Sequence, residues 1–281
     1  MAKARPIVLA LTSDQHTCST LGLCPPEGVR FDDGGRYAPS KAQLWLWDAW
    51  TDFWRAVAAA RTHHHARLIC LYGGDATDGG AHHGTTQTIS DDPEVQAYIT
   101  EATFAIPKRL KPDQSYMVRG TAIHTGGESS PQEQVLAKWL ACKRDPATDA
   151  WAPWHLRLEV NGCLLDLQHH GRAGARPWTR QNALSALAAQ IWMEHSVRGE
   201  RPPDLAIRAH QHRYGDSYDA YPTRVLVLPA WQLATAFVHR VAPEECDLAD
   251  VGGVICTVFP DGSYDIAPRL YRHALPTLRI A

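Results

Sequence analysis

The 281-residue sequence predicts an α/β fold in which strands and helices alternate first and antiparallel hairpins close the chain. Three observations predict it. Apolar runs without polar alternation, PIVLALT at 6–12 and ARLICLYGGD at 66–75, read as buried strands of an α/β sheet. Amphipathic stretches with helix-start signals lie between and after such runs. Two strong hairpin turns, Asn161-Gly162 and Pro260-Asp261-Gly262, come in the second half. No repeat, low-complexity tract or linker divides the chain, so one domain over 1–281 is expected, with the Gly-, Pro- and Asp-rich stretch 17–39 as a surface insertion.

Taken in order, the first run ends directly in Asp14-Gln15-His16, without a small-residue cleavage site, and so reads as a first strand rather than a leader. Ser40 and Gln43 form a capping box that opens a helix. Its apolar stripe, Leu44, Trp47, Ala49, Trp50, Phe53, Trp54 and Val57, has helical spacing and is expected to pack on the sheet. The histidines at 63–65 then sit at a helix C-terminus, where they meet the dipole favourably. Asp92-Pro93 is an N-cap and first helical residue for a helix over 93–106, and SYMVRGT (115–121) is a third strand. Ser130 to Glu133 reads as a second capping box before QEQVLAKWLACK. The Asn161-Gly162 hairpin spans 154–170, TRQNALSALAAQIWMEHSVR is a long helix, and DLAIRAHQH, TRVLVLPAWQL and VGGVICTVFPDGSYDIAPRL are strands.

Hydrophobic residues make up 44% of the chain and charged residues 21%, the balance of an ordinary globular protein. No apolar stretch approaches the roughly 20 residues that span a bilayer. Seven cysteines without CxxC spacing suit reduced thiols and a cytoplasmic setting. A net charge of −2 gives no global pull towards nucleic acid, although Lys108, Arg109, Lys111 and Arg119 form a modest basic cluster. The unusual count is histidine, at 15.

The chemistry-bearing residues gather just past strand ends, where open α/β sheets place their ligands. They are Asp14 and His16, Gly74-Asp75, Gly120-Thr121 with His124, His169-His170-Gly171, and His210 with His212. Carboxylate and imidazole suit divalent manganese, iron, zinc or nickel. In a strand-like Asp-x-His or His-x-His, residues two apart point the same way, so each pair can reach one metal. No G-x-S-x-G and no P-loop supports a covalent or nucleotide-cradle mechanism.

In their order these segments resemble the motif set of the calcineurin-like metallophosphoesterases: D-x-H, G-D, G-N-H-D/E, H and G-H-x-H. The resemblance runs from residue 6 to about residue 232, and it implies a four-layer α-β-β-α sandwich with a dinuclear centre at one edge. It implies that Asp14, His16 and His212 hold one cation, that Asp75 bridges, and that His210 with His169 or His170 holds the second. His170, which precedes a glycine as the family's histidine does, is the first choice, and the other histidine is left to contact substrate. It implies two divalent cations, manganese first, with iron, zinc, nickel or magnesium as alternatives. These would activate a water for in-line attack on a phosphate ester.

One motif departs from the pattern. The family's asparagine falls on Thr121 in "RGTAIHTG" and the following histidine is displaced to His124, a form that resembles a phage and prophage subgroup. Either Thr121 ligates weakly, or His124 takes the place, or the second cation arrives only with substrate. His124 is the candidate general acid, with Asp78, Glu128 or Glu133 to orient it, and Arg119 and Arg172 are candidate phosphate partners. A phosphodiester, nucleotide, nucleic acid or other small phosphoester is the expected substrate. A phosphoprotein or phosphomonoester phosphatase, or a non-catalytic metal-binding descendant, is the alternative. A metallohydrolase of the H-x-H-x-D-H type is disfavoured because that run is absent.

Overall fold

A computed structural model describes residues 4–79, 87–125, 127, 130–171, 179–241 and 249–272. In chain order the elements are β1 (Ile7–Thr12), β2 (Val29–Arg30), β3 (Arg36–Tyr37), α1 (Lys41–His63), β4 (Arg67–Tyr72), α2 (Pro93–Arg109), β5 (Gln114–Met117) and α3 (Pro131–Trp139). After them come β6 (His155–Val160), β7 (Cys163–His170), α4 (Arg180–Val197), β8 (Leu205–Ala209), β9 (Gly215–Asp216), β10 (Arg224–Val227), α5 (Ala236–Val241), β11 (Val251–Val258) and β12 (Tyr264–Tyr271).

The long strands build two mixed sheets, ordered β12-β11-β1-β4-β5 and β6-β7-β8-β10-β9. In the first, β1, β4 and β5 run parallel and β11 returns antiparallel beside β1. In the second, β7, β8 and β10 are parallel. Alternation of side chains along β1 divides its residues between two cores. Leu9 and Leu11 meet Leu165, Leu167, Ile207 and Leu226 between the sheets, while Val8 and Ala10 face Trp50, Phe53 and Trp54 of α1. Leu184 and Ala188 of α4 cover Ala206 and Val225 on the far face of the second sheet. The result is the expected succession of helix, sheet, sheet and helix.

Local signals hold in part. Ser40 and Gln43 do form the capping box of α1, and Asp92 caps α2 by accepting the Glu94 N–H. Ala49, Trp50, Phe53, Trp54 and Val57 of the stripe are buried and Trp47 is partly so, but Leu46 rather than Leu44 belongs to it. The second capping box does not form. Ser130 has a φ of 46° and makes no cap hydrogen bond, its hydroxyl accepting from Thr125 Oγ1 at 2.9 Å, and the Glu133 carboxylate accepts the N–H of Gly120 instead of turning back to the cap. Segment 17–39 carries the β2–β3 pair and buries Leu23 and Cys24 completely, so it does not lie wholly at the surface. The cysteines among the described residues are free and buried, and no described helix is long and apolar enough to cross a membrane.

One buried charge pair bears on the site. Asp166 of β7 and Arg208 of β8 stand 2.7 Å apart with both side chains buried, and His155 hydrogen-bonds the other Asp166 oxygen. Arg208 Nη1 also donates to the Asp166 and Ile207 carbonyls, and Gly171 packs on the arginine stem where a Cβ would collide. This cross-strand lock lies just before the histidines that end β7 and follow β8. Breaking it on one side leaves a buried charge uncompensated. Arg208→Met is expected to lower the unfolding free energy by about 3 kcal/mol in urea titrations, and Arg208→Met with Asp166→Leu to recover most of it. A single variant as stable as wild type would show that the pair is not holding the strands.

Candidate metal centre

Asp14 and Asp75 follow the parallel neighbours β1 and β4, and both are buried to within 1% of full burial. The chain leaves each strand through left-handed backbone: Asp14 (φ 54°), His16 (42°), Asp75 (51°), His210 (70°) and His212 (51°) are all in this region. Such residues cost about 1–2 kcal/mol each outside glycine, and their concentration at one place is a mark of a functional site. It also changes the reason why the pairs converge. None of the four paired residues lies in a strand, so residues two apart do not simply share a face. His212 reaches the Asp14 and His16 group, whereas His210 reaches His169.

Two sets of donors result. In the first, Asp14 Oδ1 lies 3.3 Å from His212 Nε2 and 3.9 Å from His16 Nε2, and the two imidazole Nε2 atoms are 3.1 Å apart. His16 Nδ1 is 3.0 Å from Asp78 Oδ1, which also receives the Gln232 Nε2 amide at 3.2 Å. The carboxylate therefore places the His16 proton on Nδ1 and turns a lone pair at Nε2 towards Asp14. In the second set, His169 donates from Nδ1 to the Gly73 carbonyl at 2.7 Å and aims Nε2 at Asp75 Oδ2, 3.0 Å away. Thr121 Oγ1 is 3.3 Å from that Nε2 and 3.2 Å from His210 Nδ1. Gly120 is required here, since a Cβ would overlap the Asp75 carboxylate, and the next N–H, of Thr121, reaches Asp75 Oδ1 at 2.6 Å.

The donor chemistry fits divalent cations. Asp14 Oδ1 and Asp75 Oδ2 are buried and meet only the imidazoles of His16, His212 and His169, which is costly for carboxylate oxygens unless positive charge stands beside them. Burial opposes the charge on both acids, yet the neighbouring imidazoles, His169 foremost, hold both carboxyls below the ordinary range. Burial likewise opposes a proton on His169, but the Asp75 and Asp14 charges overcome it and raise its pKa well above the usual value. The pair of acids thus calls for positive charge between the imidazoles. Burial lowers the pKa of His16, His170 and His210, the last to about 4, so their lone pairs are available at neutral pH. Among the described residues four groups have donor atoms within 4.8 Å of one another: Asp14, His16 and His212; Asp14, Asp75 and His169; His169, His170 and His210; and His16, Asp78 and His124.

His169, not His170, is the buried one whose Nε2 meets Asp75, against the preference drawn from the His170-Gly171 order. His124 donates from Nδ1 to the Asp78 carbonyl at 2.8 Å, and its ring meets that of His16 edge-on at 4.6 Å. Of the acids considered to orient it, Asp78 is the one at hand, with Oδ1 at 3.8 Å. Glu133 lies instead beneath the Gly120 loop, and Glu128 lies outside the described residues, as do Arg172, His82 and His83. Arg119 is not brought to the cluster: its Nε donates to the Ala152 carbonyl at 2.7 Å and its guanidinium lies over Trp154. Sequence reasoning missed Gln232, for which no motif signals, and the second role of Asp78, whose three-residue spacing from Asp75 was a usable hint.

No family model matches the sequence, and no curated protein sequence matches it. Among solved structures the chain is similar to the sulfate thiohydrolase SoxB of Thermus thermophilus, at 14% identity and a TM-score of 0.45 over 96% of this chain. It spans 57% of the length of that protein. It is also similar to a dimetal phosphatase from Danio rerio, at 11% identity and a TM-score of 0.47 over 95% of this chain and 97% of that one. Vacuolar protein sorting 29 from Cryptosporidium parvum follows at 12% identity and a TM-score of 0.40, over 96% of this chain and 100% of that one. The likeness is in the course of the chain, and the chemistry of the site is carried by its own side chains.

Glu133 offers a test of the electrostatics. It is fully buried, and burial together with the Asp75 charge pushes its carboxyl from an ordinary 4.5 up to about 8. A group that binds its proton more tightly when folded stabilises the protein below its unfolded pKa, and that contribution fades as pH rises through the folded value. In metal-free protein, wild type should therefore lose stability relative to Glu133→Gln between about pH 5 and about pH 8, at no more than about 1.4 kcal/mol per pH unit. Parallel thermal-melting curves for the two proteins across this window would show that Glu133 is ionised in the fold.

Proposed function

We infer that the protein is a hydrolase of phosphate esters that works with two divalent cations, most naturally on phosphodiester or nucleotide substrates. The observation that carries this reading is the pair of buried carboxylate oxygens, Asp14 Oδ1 and Asp75 Oδ2, which face only imidazoles, two of them, His16 and His169, with the other nitrogen tied back. Asp14, His16 and His212 would hold one cation, Asp75 would bridge, and His169 and His210 with Thr121 would hold the other. Bound there, two divalent cations supply Lewis acidity, offsetting phosphoryl charge and lowering the pKa of water.

The chain's own part is orientation and proton traffic. Asp78 and the Gly73 carbonyl fix the tautomers of His16 and His169. His124, oriented by the bond from its Nδ1 to the Asp78 carbonyl and standing edge-on to His16, would supply the proton that the leaving oxygen needs. The preference for diesters rests on charge. A monoester dianion asks for a guanidinium clamp, and Arg119, the described candidate, is tied to Ala152 instead. The net charge of −2 likewise favours small or single-stranded substrates over long duplexes.

The test is hydrolysis of bis-p-nitrophenyl phosphate and p-nitrophenyl phosphate by metal-stripped protein, with manganese, zinc, nickel or magnesium restored. Turnover should depend on metal and be faster for the diester. Asp75→Ala should lose roughly three orders of magnitude in kcat/KM, the scale of several kcal/mol of transition-state stabilisation. Faster monoester turnover would reassign the substrate to a phosphatase class. Two bound ions without turnover of either ester would speak for a binding protein of this fold.

A further inference from the structure

The second donor set is one strong ligand short. The position where the metallophosphoesterase pattern has an amide carries Thr121, and its hydroxyl, although central to the set, is a weak donor to a divalent cation. A further imidazole stands next to it. Strict alternation along β7 would turn His170 away from His169, but the β7–β8 ladder shifts register between Leu167 and His170. The shift brings the consecutive histidines to the same side, with nitrogens of His169, His170 and His210 within 4.8 Å of one another. The ring of His170 lies 4.8 Å from that of His210 and 4.9 Å from that of His169. The Asp166–Arg208 lock and the packing of Gly171 on Arg208 hold the chain at this irregularity.

We propose that His170 is a ligand of the second cation, replacing the amide that Thr121 cannot supply, so that His169, His170 and His210 present a three-imidazole face opposite Asp75. This rests on the two-cation reading above. The consequence is a difference between the sites. The first, with two carboxylates and two imidazoles, accepts manganese or magnesium readily. The second, with three nitrogens, selects borderline ions such as zinc, nickel or cobalt.

The experiment is titration of metal-stripped wild type, His170→Ala and His170→Asn with cobalt(II) and magnesium, read by visible absorption and by ion content after gel filtration. Wild type should take up two cobalt ions but retain only one magnesium. His170→Ala should keep one cobalt and bind the second about tenfold or more weakly, since losing even an outer-shell partner of a ligand costs that much. The asparagine variant, which restores an amide oxygen, should fall between. Because His170 is exposed, both variants should melt with metal-free wild type. Two cobalt ions bound with unchanged affinity in both variants would overturn the proposal, even if KM rose, and loss of both ions with a lowered melting temperature would do so too. Fewer than two ions in wild type would instead overturn the two-cation reading itself.

Discussion

Two carboxylates, Asp14 and Asp75, are buried side by side at the ends of adjacent parallel strands, and the surrounding structure is organised by the need to keep their charge out of water. Isolated ionised carboxylates do not survive such burial. Here one oxygen of each is met by backbone, the His210 N–H for Asp14 and the Thr121 N–H for Asp75. The other oxygen of each is left to the imidazoles and to whatever cation they share. Another buried acid nearby, Glu133, takes the opposite course and is pushed towards its neutral form. Asp14 and Asp75 thereby keep their charge while Glu133 is pushed to give up its own, which is how an interior of low dielectric separates like groups.

The hydrophobic core reaches directly into this arrangement. The aromatic stripe of α1 packs around Trp231, whose ring lies 4.8 Å from Trp50 and 5.6 Å from Phe53. The backbone N–H of the same tryptophan donates to the Asp14 carbonyl at 2.9 Å. One residue further, Gln232 supports Asp78, which in turn orients His16. Burial of large rings therefore fixes the loop that stiffens the first donor set. This gives the left-handed residues at the strand ends a reason to persist: the core over-determines them.

The strand ends were the legible part of the site. Asp14, His16, Asp75, His210 and His212 stand out because apolar runs stop at polar residues of one chemical kind, and parallel sheets bring such ends together. The layering of the fold was legible for a related reason, since strands without alternation must be covered on both faces. What depends on irregular backbone was not legible. A register shift in β7 decides how His169 and His170 share the site, and no residue pattern announces it. Ser130 and Glu133 have capping-box spacing, but Glu133 is drawn to the Gly120 N–H of the distant loop, a tertiary bond that outweighs the local one. Arg119 sits beside a motif in sequence, yet the Ala152 carbonyl takes its side chain elsewhere.

The two donor sets differ in firmness, and the difference follows from what backs each imidazole. His16 is buried, and both it and His169 are anchored at Nδ1, by carboxylate and carbonyl respectively. His210 and His170 keep an open side, and Thr121 brings only a hydroxyl between them and His169. Under the two-cation reading the first ion would rest against buried Asp14, Asp75 and anchored His16, with only the partly exposed His212 towards the rim, while the second would sit at the rim of the cluster. A site closed on all sides binds tightly and does little chemistry, because catalysis needs a coordination position that substrate can take. The open second set is therefore where a phosphoryl oxygen would enter. The weakness introduced by Thr121 and the access it leaves are two consequences of the same substitution in the pattern.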